Sequence, residues 1–149
     1  MSKQEDANLI LRLYEIRREP VMREARNWFF GFNPTTAADY MEAMMGPQSG
    51  YLRMVISYWD MAASMVNNGA IDEQMFNDAN GEHLFIFAKI EPVLEDLRQQ
   101  WNQPDMLKHF ETLVRRVPEN KEKLAAIRER FKMIQAMMAE RNQAQAATA

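Results

Sequence analysis

The chain contains no cysteine. Disulfides, thiolate zinc sites, iron–sulfur ligation and cysteine nucleophiles are therefore excluded, and the fold is indifferent to the redox state of its compartment. Glycine is scarce, with five in 149 residues. Neither a phosphate-cradling glycine loop nor a Gly-x-Ser-x-Gly elbow occurs. No apolar run has the length of a bilayer without a charge, because the best candidate, 51–66, carries Arg53 and Asp60. The opening residues MSKQEDANL place Glu5 and Asp6 where a signal peptide would be basic and then apolar. The expectation is a cytoplasmic protein with no membrane span. A large excess of positive charge is missing too: 18 lysines and arginines stand against 21 acids, for a formal charge of −3. A general nucleic-acid binder would need a basic surface to displace counterions, so that class is set aside.

What the sequence does have is helix. Strong helix formers dominate and alternating apolar–polar runs of strand length are absent, which predicts an all-α fold. Prolines and glycines mark the joints. A first helix over Glu5–Arg18 turns Leu9, Ile10, Leu13, Tyr14 and Ile16 inward, and Pro20 either starts a second or kinks one long helix. The second puts Val21, Ala25, Trp28 and Phe29 on one face and stops at Gly31. Thr35 or Thr36 caps a third, which closes at Gly46-Pro47. A long helix then ends in Asn67-Asn68-Gly69, Asp72 caps a short one, and Asn80 caps another long one to Trp101 with Ile86, Ile90, Val93 and Leu97 in its stripe. Pro92 within it denies the Ala88 carbonyl its helical donor and predicts a bend. The residues after Pro104 turn Leu107, Phe110 and Leu113 or Val114 inward, and Pro118 opens the last helix. No linker or repeat divides the chain. The prediction is one helical bundle of about five to seven helices over 1–141, with a disordered polar tail at 142–149.

The central element is the segment at about 50–67, YLRMVISYWDMAASMVN in its main part. At 100° per residue, Leu52, Val55, Trp59, Ala62 and Val66 form a buried face, while Arg53, Ser57, Asp60, Ser64 and Asn67 fall in one narrow arc. That arc is either solvated or lightly covered, which its ordinary spacing favours, or lines a pocket. In the second case Arg53, Ser57, Tyr58, Asp60 and Ser64 are the candidate ligand-binding residues.

The search for catalytic constellations is mostly negative. Neither histidine has a glutamate three residues before it, so the Glu-x-x-His pairs of a di-iron bundle are missing. Asp105 and His109 share a helix face, but an exposed aspartate and a surface histidine explain that spacing. Glu91, Glu95 and Asp96 read as the solvated side of an amphipathic helix. No cofactor or metal is called for. In RLYEIRREPVMREARNW, glutamates and arginines interleave at pairing distance on a helix surface. Arg26, beside the Trp28–Phe29 face, is the candidate for a buried ion pair. The acidic stretch 71–100 and the basic stretch 115–132 suggest that their helices pair within the chain. Methionine is abundant, and Met41, Met44, Met45, Met54, Met61 and Met65 serve either as core filler or as an adaptable surface. In the last helix, Leu124, Ile127, Phe131, Ile134 and Met138 recur at spacings of 3 and 4, a coiled-coil seam suited to packing on the domain or on another chain.

The pattern EIRREPVMREAR, followed by YWDMAASMVNNGAIDEQMFND and a helix with a tryptophan near its end, resembles a broad family of small all-helical bacterial proteins known only as a domain of unknown function. The residues that carry the likeness include Tyr58, Trp59, Asn68, Gly69, Ile71, Asp72 and Glu73, and it covers about residues 8–101. Many of that group look membrane-anchored through an added N-terminal helix with no counterpart in this sequence, so the resemblance implies neither a membrane role nor any catalytic residue. The sequence therefore points first to a protein-interaction or self-associating module without catalytic activity, with a protein partner or a second copy of itself. A small-molecule sensor with a pocket near Asp60 comes second, and an enzyme third.

Overall fold

Why the chain breaks into helices where it does is visible at the caps. In the computed structural model, which describes residues 2–149, Ser2 and Glu5 form a reciprocal capping box that opens α1 (Lys3–Arg17). Pro20 starts a separate helix: it takes the first position of α2 (Pro20–Phe30), with the Glu19 carboxylate accepting from the Met22 amide. Thr36 caps α3 (Ala37–Met45) in a second capping box with Asp39. The central helix α4 (Ser49–Asn67) ends at Gly69, whose φ of +80° only glycine adopts freely. There the amides of Gly69 and Ala70 return to the carbonyls of Val66 and Met65. Asp72 caps α5 (Glu73–Ala79). Then come α6 (Glu82–Gln100), α7 (Lys108–Arg116) and α8 (Asn120–Ala147).

The described residues thus form eight helices and no strand, one more helix than the sequence pattern predicts. Asn80, expected to cap α6, instead donates to the Phe76 carbonyl at the end of α5, and Gly81 precedes α6 with no side-chain cap. At the other end, the segment 142–149, expected as a disordered tail, continues α8 to Ala147 with exposed side chains. Its alanines and glutamines are strong helix formers.

The core is built around α4, which buries Leu52, Val55, Ile56, Tyr58, Trp59, Ala62, Ala63 and Val66. Helices α2, α3, α5 and α7 pack on it, and α6 closes the far side with Ile86, Phe87, Ile90, Val93, Leu94 and Leu97. The first half of α8 lies on α6 and α7. Pro92 leaves the Ala88 carbonyl without an α6 donor, and Arg128 of α8 supplies one at 3.3 Å while pairing with Glu91 at 2.9 Å. Arg115 also reaches Glu91, at 2.6 Å. Glu91 is thus half-buried at the α6–α7–α8 junction, where the sequence pattern puts it on a solvated face. The acidic and basic stretches do pair within the chain, here and where Arg116 meets Glu73 at 2.7 Å. No helix among the described residues is long and apolar enough to cross a membrane.

Candidate functional site

Three places could carry function, and each depends on side chains that distant helices bring together. The first is the Asp60 arc. Arg53, Ser57 and Asp60 line an open groove with Gly50, Met54, Ile56 and Leu107. Tyr58 and Ser64 are not part of it: Tyr58 points to the other side, where its hydroxyl donates to the Leu13 carbonyl at 2.6 Å, and Ser64 bonds back to Met61 of its own helix. Burial pushes the Tyr58 phenol up to about 12. Asp60 is half-buried, and its Oδ1 accepts from the Phe110 amide at 3.0 Å. Phe110 occupies the third position of α7, a helix whose own N-cap residue, Leu107, sits in the left-handed region and offers no side-chain cap. Asp60 therefore caps α7 from α4. Asn67 adds a bond to the His109 carbonyl at 3.0 Å, so two residues of the arc fasten α7. Asp105, on the loop before α7, pairs with Lys108. Replacing Asp60 with alanine is expected to lower unfolding stability by about 1 kcal/mol, and Asp60→Asn by less, measured by urea denaturation.

The second place is a polar seam between α1, α2 and α6. Arg26, singled out from the sequence, makes a forked pair with Glu82, its Nε and Nη2 lying 2.9 to 3.1 Å from the carboxylate oxygens. Its Nη1 donates to the Arg17 carbonyl. Arg17, itself nearly buried, approaches Glu82 at 3.6 Å and lies over the Trp59 ring at 5.3 Å. Next to this network His83 sits in the core, 5.6 Å from the Trp59 ring and 5.4 Å from Phe76, with Nε2 3.1 Å from the Asn77 side-chain oxygen. Burial, aided by the Arg17 charge, lowers its pKa to about 4. Because the folded value lies below the unfolded one near 6.5, the unfolded chain binds the extra proton between them, and stability falls as pH drops through that window. At full extent this amounts to about 3 kcal/mol. The expected result is that His83→Gln flattens the pH dependence of stability between pH 7 and 4, measured by urea denaturation at each pH.

The third place is an aromatic cavity of about 270 Å³ between α2, α6 and α8, lined by Phe29, Phe30, Phe85, Ile86 and Phe131 with Arg26, Glu82 and Lys89. Lys89 is buried. Its ammonium donates to the carbonyls of Phe29, Phe30 and Phe32 at 2.9, 2.6 and 3.0 Å, closing the C-terminus of α2. It also lies 4.7 Å from the centre of the Phe131 ring. Burial lowers its pKa to about 8. Sequence reading missed Lys89, Glu82 and His83. The signal available was Lys89 three residues after Ile86 and four before Val93, a charge set on the apolar stripe of α6.

The predicted seam of α8 divides at the edge of this cavity. Leu124 and Ile127 are buried and Phe131 is half-buried, whereas Ile134 is 38 % and Met138 58 % exposed. Met133 and Met137 lie exposed beside them. Of the methionines on α3 and α4, Met41, Met44, Met54 and Met65 pack against the core, while Met45 and Met61 are exposed.

A fold of this kind, helices wrapped around one apolar helix, defines a class of small all-α domain. The chain belongs to the family described as Domain of unknown function (DUF4760), whose model it matches over residues 3–117. That match takes in α1 to α7 and stops before α8. No curated protein and no solved structure matches the chain.

Proposed function

We propose that this protein is a cytoplasmic, non-catalytic interaction module that pairs with a second copy of itself through the C-terminal half of α8. The observation that carries this reading is the division of one seam into a buried and an exposed part. Leu124, Ile127 and Phe131 spend the first part on the domain, and Ile134 and Met138 continue the same spacing while 38 % and 58 % exposed. From Lys132 onward every side chain of α8 is exposed. A helix of that length without tertiary packing is marginal in water, so a partner that covers its apolar stripe stabilises it. A stripe spaced at 3 and 4 pairs most simply with a like helix, and a two-fold arrangement places the same patch on both sides and closes the assembly. The position of α8 outside the family match supports a role added to the common domain. The pocket reading at Asp60 is weaker, because the Asp60 carboxylate already serves α7. A native mass spectrum of gently purified protein tests the proposal: a peak at twice the 17.5 kDa chain mass is expected, and a monomer throughout the micromolar range overturns it.

A further inference from the structure

Independently of self-association, we infer that the aromatic cavity between α2, α6 and α8 binds a small monoanion with an apolar body, of the size of an arylalkanoic acid. Its walls are four phenylalanines and an isoleucine, the apolar lining that small-ligand sites present. Its volume of about 270 Å³ exceeds the ~150 Å³ that suffices for benzene, leaving room for a ring and a short acid arm.

Charge selects the rest of the ligand. Although the whole chain is acidic, the groups around this cavity are mainly cationic. Lys89 and Arg26 line it, Arg17 stands behind Arg26, and Arg130 covers the Phe85 ring at 5.7 Å. Glu82 is the one carboxylate in the lining, and it is held by both Arg17 and Arg26. The Lys89 ammonium touches carbonyl oxygens and aromatic faces but no carboxylate. Arg26 uses Nε and one N–H on each terminal nitrogen for Glu82 and the Arg17 carbonyl, which leaves two of its five N–H groups without a protein acceptor. A carboxylate entering between these cations is attracted by the charge of Lys89, whose three N–H groups stay on the carbonyls of Phe29, Phe30 and Phe32, and can accept from the N–H groups that Arg26 leaves free, while its apolar end lies against Phe30, Phe85 and Phe131. Neutral molecules of the same shape gain only the second half of that interaction, and amines are repelled. Phe131 belongs to α8, so the cavity in this form depends on the helix that lies beyond the family match.

The test uses 3-phenylpropanoate, its neutral isostere 3-phenylpropan-1-ol and the cation 3-phenylpropylamine, each titrated into the intact chain by calorimetry. The expected order is the acid at least tenfold tighter than the alcohol, with no binding of the amine. Phe131→Ala, which opens the α8 wall, is expected to weaken the acid about tenfold while helix content stays unchanged. Lys89→Met is expected to shrink the preference for acid over alcohol severalfold. Should that variant fail to fold, a pH series on the unaltered chain reads the same group. The charged groups facing Lys89 are Arg26 from α2, Glu82 from α6, and Arg128 and Lys132 from α8. As pH rises past about 8, Lys89 loses its proton and the acid's advantage over the alcohol shrinks, whereas the arginines do not titrate there. Equal binding of acid and alcohol, or no binding of the acid at millimolar concentration, would overturn the inference.

Discussion

Glu82→Gln is expected to lower unfolding stability by about 3 kcal/mol and the melting temperature by about 6 to 12 °C. Glutamine keeps the shape of the side chain and can still accept a hydrogen bond, so the loss isolates the charge. In the intact protein that carboxylate is three-quarters buried and holds two guanidinium groups, Arg26 at 2.9 Å and Arg17 at 3.6 Å. Arg17 has only 11 % of its side chain in solvent, and without Glu82 its charge has neither water nor a counter-ion. The cost of leaving such a cation unpaired exceeds the modest net value of the pair itself. It follows that removing all three charges, as Arg17→Met, Arg26→Met and Glu82→Leu together, should destabilise by no more than Glu82→Gln alone. Thermal unfolding followed by circular dichroism measures both. A loss under about 1 kcal/mol for Glu82→Gln would mean that water screens the cluster and that it does not fasten α1 and α2 to α6.

The second large effect is expected on association. Ile134→Glu combined with Met138→Glu places two carboxylates on the exposed part of the α8 seam. In the monomer both are solvated, and stability should change by less than about 0.5 kcal/mol. In a paired assembly they are desolvated with no counter-charge, at about 3 kcal/mol or more, which weakens association more than a hundredfold. Leu124→Glu makes the contrast. Leu124 is fully buried against the domain, so that substitution should unfold the helix from the body instead of acting on pairing alone. The two variants separate the inner and outer halves of a single sequence pattern.

Much of the architecture was legible because it rests on local rules. The 100° spacing of α4 identifies Leu52, Val55, Trp59, Ala62 and Val66 as its buried face, and all five are buried. Asp72 marks a helix start through chemistry confined to one turn, whereas the sequence leaves open whether Thr35 or Thr36 caps α3 and whether Pro20 starts a helix or kinks one; the structure selects Thr36 and a separate helix. On α1 the same rule was only half right. Ile10 and Leu13 are buried, but Leu9, Tyr14 and Ile16 are exposed, and the third buried residue is Arg17. Its place inside is set by Glu82 and the Trp59 ring, partners from α6 and α4 that no window on α1 contains. Lys89 was hidden for the same reason: only the end of α2, packed against α6, supplies the carbonyls that make a buried ammonium tolerable. Asp60 lies where its periodicity puts it, at the margin of the covered face, but its task depends on the start of α7 arriving beside it. Residues whose roles come from tertiary partners thus escaped a reading by periodicity; in the candidate cavity these are Glu82 and Lys89, whereas Arg26, Phe29, Ile86 and Phe131 stand out in the sequence.

The central claim is that the outer half of α8 is an interface, and sedimentation velocity tests it most directly. The intact chain, run across the micromolar range beside the Ile134→Glu, Met138→Glu variant, is predicted to sediment as a dimer and the variant as a monomer with the same helix content. A single monomer species for both, unchanged with concentration, would contradict the account.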